Sequence, residues 1–280
     1  MYDVLIVGGG PAGCSAALTL RLRGKSVLMA FSDGGALAKA ARIDNYPGMP
    51  RISGPEMLSA MRNQCLEAGA EIKETLVQRI LPMGKSFTAM LGNEICECKS
   101  VLIATGAGRV ALLQGEENLV GMGVSYCATC DGMFYKGRSI AVIGAWEEAV
   151  EEANFLAGIA GSVTYFSEKK HDLSRLSEKI AVSEKKPLSL ASENGQILLD
   201  GEAFDGVFIL RPAMALSQLM PELEREDGRI LSHDGFFTSV KNVFVAGDAL
   251  GAPYQIAKAV GDGNMAALAI AKALDHDAKE

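Results

Sequence analysis

The sequence predicts an α/β protein containing two similar strand–turn–helix–strand units, and three observations carry that prediction. The apolar run Tyr2 to Val7 enters the turn Gly8-Gly9-Gly10-Pro11-Ala12-Gly13, which opens a helical run, Cys14 to Arg23, and then a second apolar run, Ser26 to Ala30. The same order recurs about 135 residues on, where Ser139 to Ile143 enters Gly144-Ala145-Trp146-Glu147-Glu148-Ala149. A C-x-x-C pair, Cys127-Ala128-Thr129-Cys130, lies just ahead of the second unit and is followed by Asp131-Gly132.

The first unit places G-x-G-x-x-G (Gly8, Gly10, Gly13) between a strand and a helix. Within about 30 residues of strand, helix and strand, that is the Rossmann-like dinucleotide-binding pattern. Glycines let the backbone approach a pyrophosphate, and the helix N-terminus offers N–H groups and a positive dipole to hold it. The acid expected at the end of the second strand is absent: Ala30-Phe31 stands there, with Ser32-Asp33 just beyond. Cys14 has apolar surroundings and reads as a small buried helix residue.

Gly34 and Gly35 open a loop that runs to Asp44-Asn45-Tyr46-Pro47-Gly48. Ser53 to Gly69 reads as a helix capped by Ser53, with Met57, Leu58, Met61, Cys65 and Leu66 on one face. Ile72 to Ile80 and Ser86 to Cys98 read as antiparallel strands, and Val101 to Ala107 as a buried strand ending in a tight turn. In the second unit the helix runs to about Ala160, Ser162 to Phe166 is the next strand, and Trp146 occupies the second glycine position. Lys169 to Lys186 reads as a solvated helix with a small positive excess: six Lys/Arg face Glu168 (just before it), Asp172, Glu178 and Glu184. Gln196 to Leu199 and Phe204 to Leu210 are further strands. Val243 to Asp248 is a strand ending in Gly247-Asp248. Gln255 to Leu274 is an Ala-rich helix with Gly261 and Gly263, suited to packing close to a sheet or a cofactor. His171, His233 and His276 are scattered among polar neighbours and are assigned no chemistry.

A C-x-x-C pair tends to hold one thiol at depressed pKa and can close a small disulfide ring. An acid one residue beyond the second cysteine, here Asp131, can deliver or remove a proton during thiol–disulfide exchange. Zinc would need a second ligand pair. The nearest is Cys96 and Cys98 on a strand, where a structural role is favoured, and no histidine lies near either pair. The redox reading is therefore preferred and no metal site is expected.

The chain has 280 residues, 49% hydrophobic and 22% charged, enough for two α/β domains and typical of a soluble globular protein. Its longest apolar runs, such as Val101 to Ala104, are far too short to span a bilayer. The N-terminus lacks a basic leader and reads as a first strand, not a signal peptide. A reducing, cytoplasmic setting is thus expected, where a disulfide among the six cysteines is transient and catalytic. A net charge of -7 argues against a nucleic-acid surface.

Together these segments resemble the low-molecular-weight thioredoxin reductase family. The likeness runs through Gly8 to Gly13, Asp44 to Gly48, Ser53-Gly54-Pro55-Glu56, Ala104 to Ala107, Cys127 to Gly132, Val245 to Asp248 and Gln255 to Leu268. The resemblance implies two Rossmann-like, three-layer domains, with a discontinuous FAD-binding domain (1–110 and 240–280) interrupted by a central domain (111–239) that carries the dithiol. It implies FAD contacts at Gly8, Gly10, Pro11, Ala12, Gly13, Gly35, Leu37, Asn45, Thr105, Gly106, Gly247, Asp248, Gln255 and Ile256. It further implies that Cys130 faces the flavin, that Cys127 attacks the disulfide of a thioredoxin or thioredoxin-like partner, and that Asp131 handles the proton. A homodimer is implied too. A central domain rotating about connections near 108–115 and 236–242 is expected to expose Cys127.

Two departures shift the expected electron donor. The family keeps glycine where Trp146 stands, and it follows the next strand with a basic motif for the 2′-phosphate of NADPH. Here that stretch is Phe166-Ser167-Glu168-Lys169-Lys170, without arginine. These losses resemble the flavin-dependent ferredoxin–thioredoxin reductases, which have lost NADPH binding and take electrons from ferredoxin or another one-electron carrier. A ferredoxin near about -400 mV lies roughly 130 mV below thioredoxin, on the order of 6 kcal/mol for two electrons. The alternatives are an NAD(P)H-dependent thioredoxin reductase that tolerates Trp146, a dithiol oxidase that passes electrons to oxygen, and a redox-silent FAD-binding protein.

Overall fold

β1 (Tyr2–Val7) is buried over its last four residues and leads through the glycines into α1 (Pro11–Leu22) and then β2 (Val27–Phe31). The computed structural model describes residues 1–280 except 33–34, 107–112, 127, 212–215, 227–228 and 278–280, and excluding the side chains of Glu117, Cys130, Glu148 and Ser217. It divides into two compact units, Met1–Arg109 with Met214–Glu280, and Val110–Ala213.

In the first unit α2 (Gly54–Glu67) begins with a capping box, in which Ser53 and Glu56 satisfy each other's backbone N–H. β3 (Glu71–Glu74) pairs parallel with β2, while β4 (Val77–Met83) and β5 (Ser86–Leu91) form a hairpin. The single strand expected over Ile72 to Ile80 is therefore two, broken at Thr75-Leu76, because its first part extends the parallel sheet and its second part leaves it. The strand expected over Ser86 to Cys98 is likewise a hairpin, turned at Gly92-Asn93 into β6 (Glu94–Ile103). Gly92 takes φ 56°, which a two-residue hairpin turn requires. β6 continues through Val101 to pair in parallel with β1. Cys96 and Cys98 share one face of β6, as expected; Cys98 is buried, and burial pushes its thiol up to about 12.

The second unit opens with α3 (Glu116–Leu119), β7 (Val124–Ser125) and α4 (Ala128–Asp131). β8 (Ser139–Gly144), α5 (Glu148–Ala157) and β9 (Ser162–Ser167) repeat the strand–helix–strand order of the first unit. The segment expected as a helix from Lys169 to Lys186 is not one. It forms turns that end in β10 (Ala181–Ser183). Side chains hold the turns: Asp172 accepts from Ser174 N–H at 2.9 Å, and Asn154, on α5, accepts from Ser177 N–H at 2.8 Å. Leu173, Leu176 and Ile180 pack against the apolar core beneath. A small antiparallel sheet, β11 (Leu190–Glu193), β12 (Gln196–Leu199) and β13 (Glu202–Phe204), precedes the fully buried β14 (Gly206–Leu210). The main sheet of this unit is parallel with strand order β10-β9-β8-β14-β7.

The chain then returns to the first unit at Met214, ahead of the boundary expected near residue 240. The reason is apolar. Leu219 and Met220, in and after α6 (Leu216–Leu219), and Leu223 and Ile230 are buried in one cluster with Leu5, Leu28, Ile80 and Val101. A short hairpin, β15 (Arg225–Glu226) and β16 (Arg229–Ile230), follows. β17 (Val243–Val245) pairs with the end of β6, and α7 (Ile256–Asp277) packs on α1. Gly263 permits that packing, since a Cβ there would lie 2.1 Å from the carbonyl oxygen of Ala12. Among the described residues, no helix is long and apolar enough to cross a membrane.

Candidate active site

The cradle of the first unit is built by close backbone approach. A Cβ on Gly8 would sit 2.2 Å from the carbonyl oxygen of Ala104, and one on Gly13 would sit 1.9 Å from the carbonyl oxygen of Gly8. These two glycines let β1, β6 and α1 converge. Gly10 differs: it is the N-cap of α1, and a Cβ there would meet nothing within 4 Å. That open side is where a ligand can reach the backbone. Pro11 starts the helix, no side chain caps it, and its first turn holds no acid. Its free N–H groups and dipole end are thus left to an anion. Gly13→Ala is expected to cost about 1–3 kcal/mol of stability through overpacking and to weaken cofactor retention; denaturant titration together with the flavin content of purified protein measures both.

Most of the other expected cofactor contacts fall into two groups, the first of them beside this cradle. Gly247 sits against Ala12, where a Cβ would approach the alanine Cβ to 2.7 Å, and it opens a short 3-10 turn, Gly247–Leu250, that carries Asp248. Asp248 Oδ1 is buried without a hydrogen-bond partner, and burial pushes its carboxyl above the usual range, with Lys258 opposing and Asp262 adding to the shift. A buried acceptor left open in this way fits a hydroxyl donor such as the sugar chain of a flavin nucleotide. Thr105 and Gly106 follow β6 beside Gly8, and Gly106 takes φ 81°. In the second group Asn45 Nδ2 donates to Gln255 Oε1 at 3.1 Å, joining residues 210 positions apart. Leu37 packs with Ile43, Met57 and Leu58, and Ile256 lies against the same cluster. Gly35 stands on an exposed turn at φ 62°.

Sequence reasoning missed Arg62. The acid expected at the end of β2 is replaced by Phe31, whose ring lies where a Gly9 side chain would be. The Arg62 guanidinium stacks 3.8 Å from the Phe31 ring centroid, and its Nε donates to the carbonyl oxygen of Gly9 at 3.0 Å. Its Nη2 is buried without a partner. Phe31 and Arg62 therefore put an aromatic ring and a cation beside Gly9, at the strand end where the fingerprint expects an acid. A lone arginine on an amphipathic helix carries no sequence signal for this.

In the second unit, Cys127 lies outside the described residues, as does the side chain of Cys130; the Cys130 backbone belongs to α4. Asp131 closes that turn, and its Oδ2 accepts from the Ser125 hydroxyl at 2.6 Å. Gly132 lets the turn press on α5, since a Cβ there would meet Leu156 at 3.0 Å. Glu152 on α5 accepts from the N–H of Ala128, and burial raises its carboxyl. Met133 and Phe134, just past the turn, are 62% and 75% exposed.

The second glycine-bearing turn differs from the first. Trp146 lies between β8 and α5, packed against the core beneath, with its Nε1 buried and unpartnered. Glu147 is the N-cap of α5. Beyond β9, Glu168 accepts from Arg211, Nε and Nη2 both at 2.8 Å.

Comparison with known proteins agrees with this arrangement. Residues 2–189 match the pyridine nucleotide-disulphide oxidoreductase family. The chain is 34% identical to a thioredoxin reductase of Bacillus subtilis, over 96% of this chain and 94% of the relative. The chain belongs to the thioredoxin reductase family. Among solved structures it is similar to a ferredoxin-flavin thioredoxin reductase from Clostridium acetobutylicum, with TM-score 0.87, 36% identity and coverage of 100% and 99% of the two chains. It is also similar to a thioredoxin reductase from Gloeobacter violaceus, with TM-score 0.77, 31% identity and coverage of 98% and 94%. The two parallel-sheet units are thus the two-domain, Rossmann-like fold of thioredoxin reductases, and the chemistry is that of a flavoprotein disulfide reductase.

Proposed function

We propose that this chain reduces the disulfide of thioredoxin or a thioredoxin-like protein, with FAD as cofactor and with electrons from ferredoxin or another one-electron carrier in place of NADPH. Trp146 carries the donor assignment. Two copies of one nucleotide-binding device can be compared within a single chain. The first keeps Gly10 with open space beside it and no acid in the first helical turn. The second puts an indole at the matching place and Glu147 at the helix start. Glu147 suits the helix dipole but competes with an anionic ligand for it. The arginines that would take a 2′-phosphate are also missing after β9, where Glu168-Lys169-Lys170 stands. Losing two charge-assisted contacts removes roughly 3–6 kcal/mol of nucleotide affinity. The likeness to the Clostridium acetobutylicum reductase supports the same donor class.

FAD would be held by the Gly8–Gly13 turn, the Gly247-Asp248 turn, Arg62 and the Leu37, Asn45, Thr105, Gly106, Gln255, Ile256 surroundings, with Gly35 on the adjoining turn. When bound, it supplies a centre that accepts electrons singly and delivers them in pairs. In this reading the Cys127 thiolate attacks the partner's disulfide and forms a mixed disulfide. Cys130 then attacks Cys127, so that the Cys127–Cys130 bond forms and the partner leaves as a dithiol. Asp131, held by Ser125, takes the proton from the attacking thiol and returns one to the leaving sulfur. The same reading carries a homodimer.

Met133 and Phe134, exposed just past Gly132 and a few residues after the C-x-x-C pair, would form the apolar docking patch for the partner. Phe134→Ala is expected to raise KM for the protein disulfide about tenfold with a smaller change in kcat, measured by steady-state kinetics. For the electron carrier, which in ferredoxins is usually acidic, the segment 169–186 offers six exposed cations, and Glu168 no longer offsets them because it is turned to Arg211. The donor assignment is tested by steady-state reduction of a thioredoxin disulfide: turnover is expected with reduced ferredoxin and none with NADPH or NADH, and the reverse pattern rejects it.

A further inference from the structure

We infer that an internal ion-pair bridge, Glu168–Arg211–Glu116, fills the nucleotide cleft of the second unit and excludes a dinucleotide independently of Trp146. The inference rests on the donor assignment above. In an open parallel sheet a nucleotide binds outside the carboxyl ends of the strands, where the strand order reverses. Here the reversal lies at β8, with β9 paired on one side and β14 on the other. Glu168 is the first residue after β9 and Arg211 the first after β14. They stand on either side of the end of β8 at Gly144, held there by Glu168 N–H to Gly144 O at 2.8 Å and Ala145 N–H to Leu210 O at 3.1 Å. The bridge therefore crosses the carboxyl edge where a pyrophosphate and ribose would enter.

The bridge also uses up the groups that could recognise a nucleotide. A dinucleotide unit places an acid about 20 residues beyond its first turn, to hold ribose hydroxyls; Glu168 occupies that place. Both of its oxygens accept from Arg211, through Nε and Nη2 at 2.8 Å each. The other side of the guanidinium grips Glu116, Nη1 at 2.6 Å and Nη2 at 3.1 Å. Glu116 is fully buried and accepts further from Tyr126 O–H at 2.8 Å and Leu113 N–H at 2.8 Å. All three guanidinium nitrogens are thus spent and Arg211 is 7% exposed. A satisfied, buried, charge-assisted network of this kind is rigid and does not open for a competing ligand.

The test uses the flavin-loaded protein with ADP-ribose and NADP⁺ as probes, read by titration calorimetry. The wild type is expected to give no binding heat, and Trp146→Gly little more. In the Trp146→Gly background, Glu168→Gln, which halves the charge facing Arg211, and Arg211→Lys, which keeps a cation beside Glu116 but cannot make the fork to Glu168, are each expected to tighten ADP-ribose binding at least about tenfold. Circular dichroism and retained flavin colour establish that each variant is folded; either of the two suffices. Folded double variants that bind no tighter than Trp146→Gly overturn the bridge as the excluding element, as does ADP-ribose binding by the wild type. Flavin reduction of the wild type by NADPH instead overturns the donor assignment, so the two failures are distinguishable.

Discussion

Cys127→Ser and Cys130→Ser are each expected to lower disulfide turnover by several orders of magnitude, since neither single thiol completes the exchange. Their spectra separate their roles. With Cys127 replaced, the proposed roles leave Cys130 as a lone thiolate beside the oxidised flavin, and a long-wavelength charge-transfer band is expected. With Cys130 replaced, no band is expected, because in those roles the remaining thiol is the one that meets the partner. Absorbance spectra of the two oxidised variants check the assignment, and a band in Cys130→Ser alone means that the two roles are exchanged.

The cofactor cradle was legible because its chemistry is written in residue types with no substitute. Gly8 and Gly13 sit where a side chain would enter a neighbouring carbonyl oxygen, so the motif is a steric requirement before it is a binding one. Asn45 and Gln255 were named from resemblance, and the fold brings them to hydrogen-bonding distance from opposite ends of the chain. What escaped the sequence was what depends on packing across distance. Leu219, Met220, Leu223 and Ile230 look like loop residues until the face of β1 and β4 that they cover is known, and the second domain boundary moved with them. The segment 169–186 has apolar residues at Leu173, Leu176 and Ile180 in helical spacing, yet Asp172 binds its backbone locally, Asn154 binds it from α5, and turns win. Arg62 and Arg211 were invisible because an arginine gains its role from what it stacks on or spans.

The second large effect concerns the electron donor. In the proposed account two features of the second unit act against a nicotinamide nucleotide: the Trp146 turn with Glu147 at the start of α5, and the Glu168–Arg211–Glu116 bridge at the strand edge. In that account each removes contacts that a pyrophosphate or ribose needs, and Trp146→Gly alone is expected not to restore NADPH use, because the bridge would remain and the stretch after β9 holds no arginine for the 2′-phosphate. The low-potential direction is favourable by comparison: a ferredoxin near about -400 mV drives reduction of a dithiol couple near about -270 mV. The most direct measurement is anaerobic rapid mixing of the oxidised yellow protein with stoichiometric NADPH, NADH or reduced ferredoxin, following the flavin absorbance. Bleaching within the turnover time by ferredoxin, with neither nicotinamide nucleotide acting on that timescale, is the expected result; fast bleaching by NADPH contradicts it.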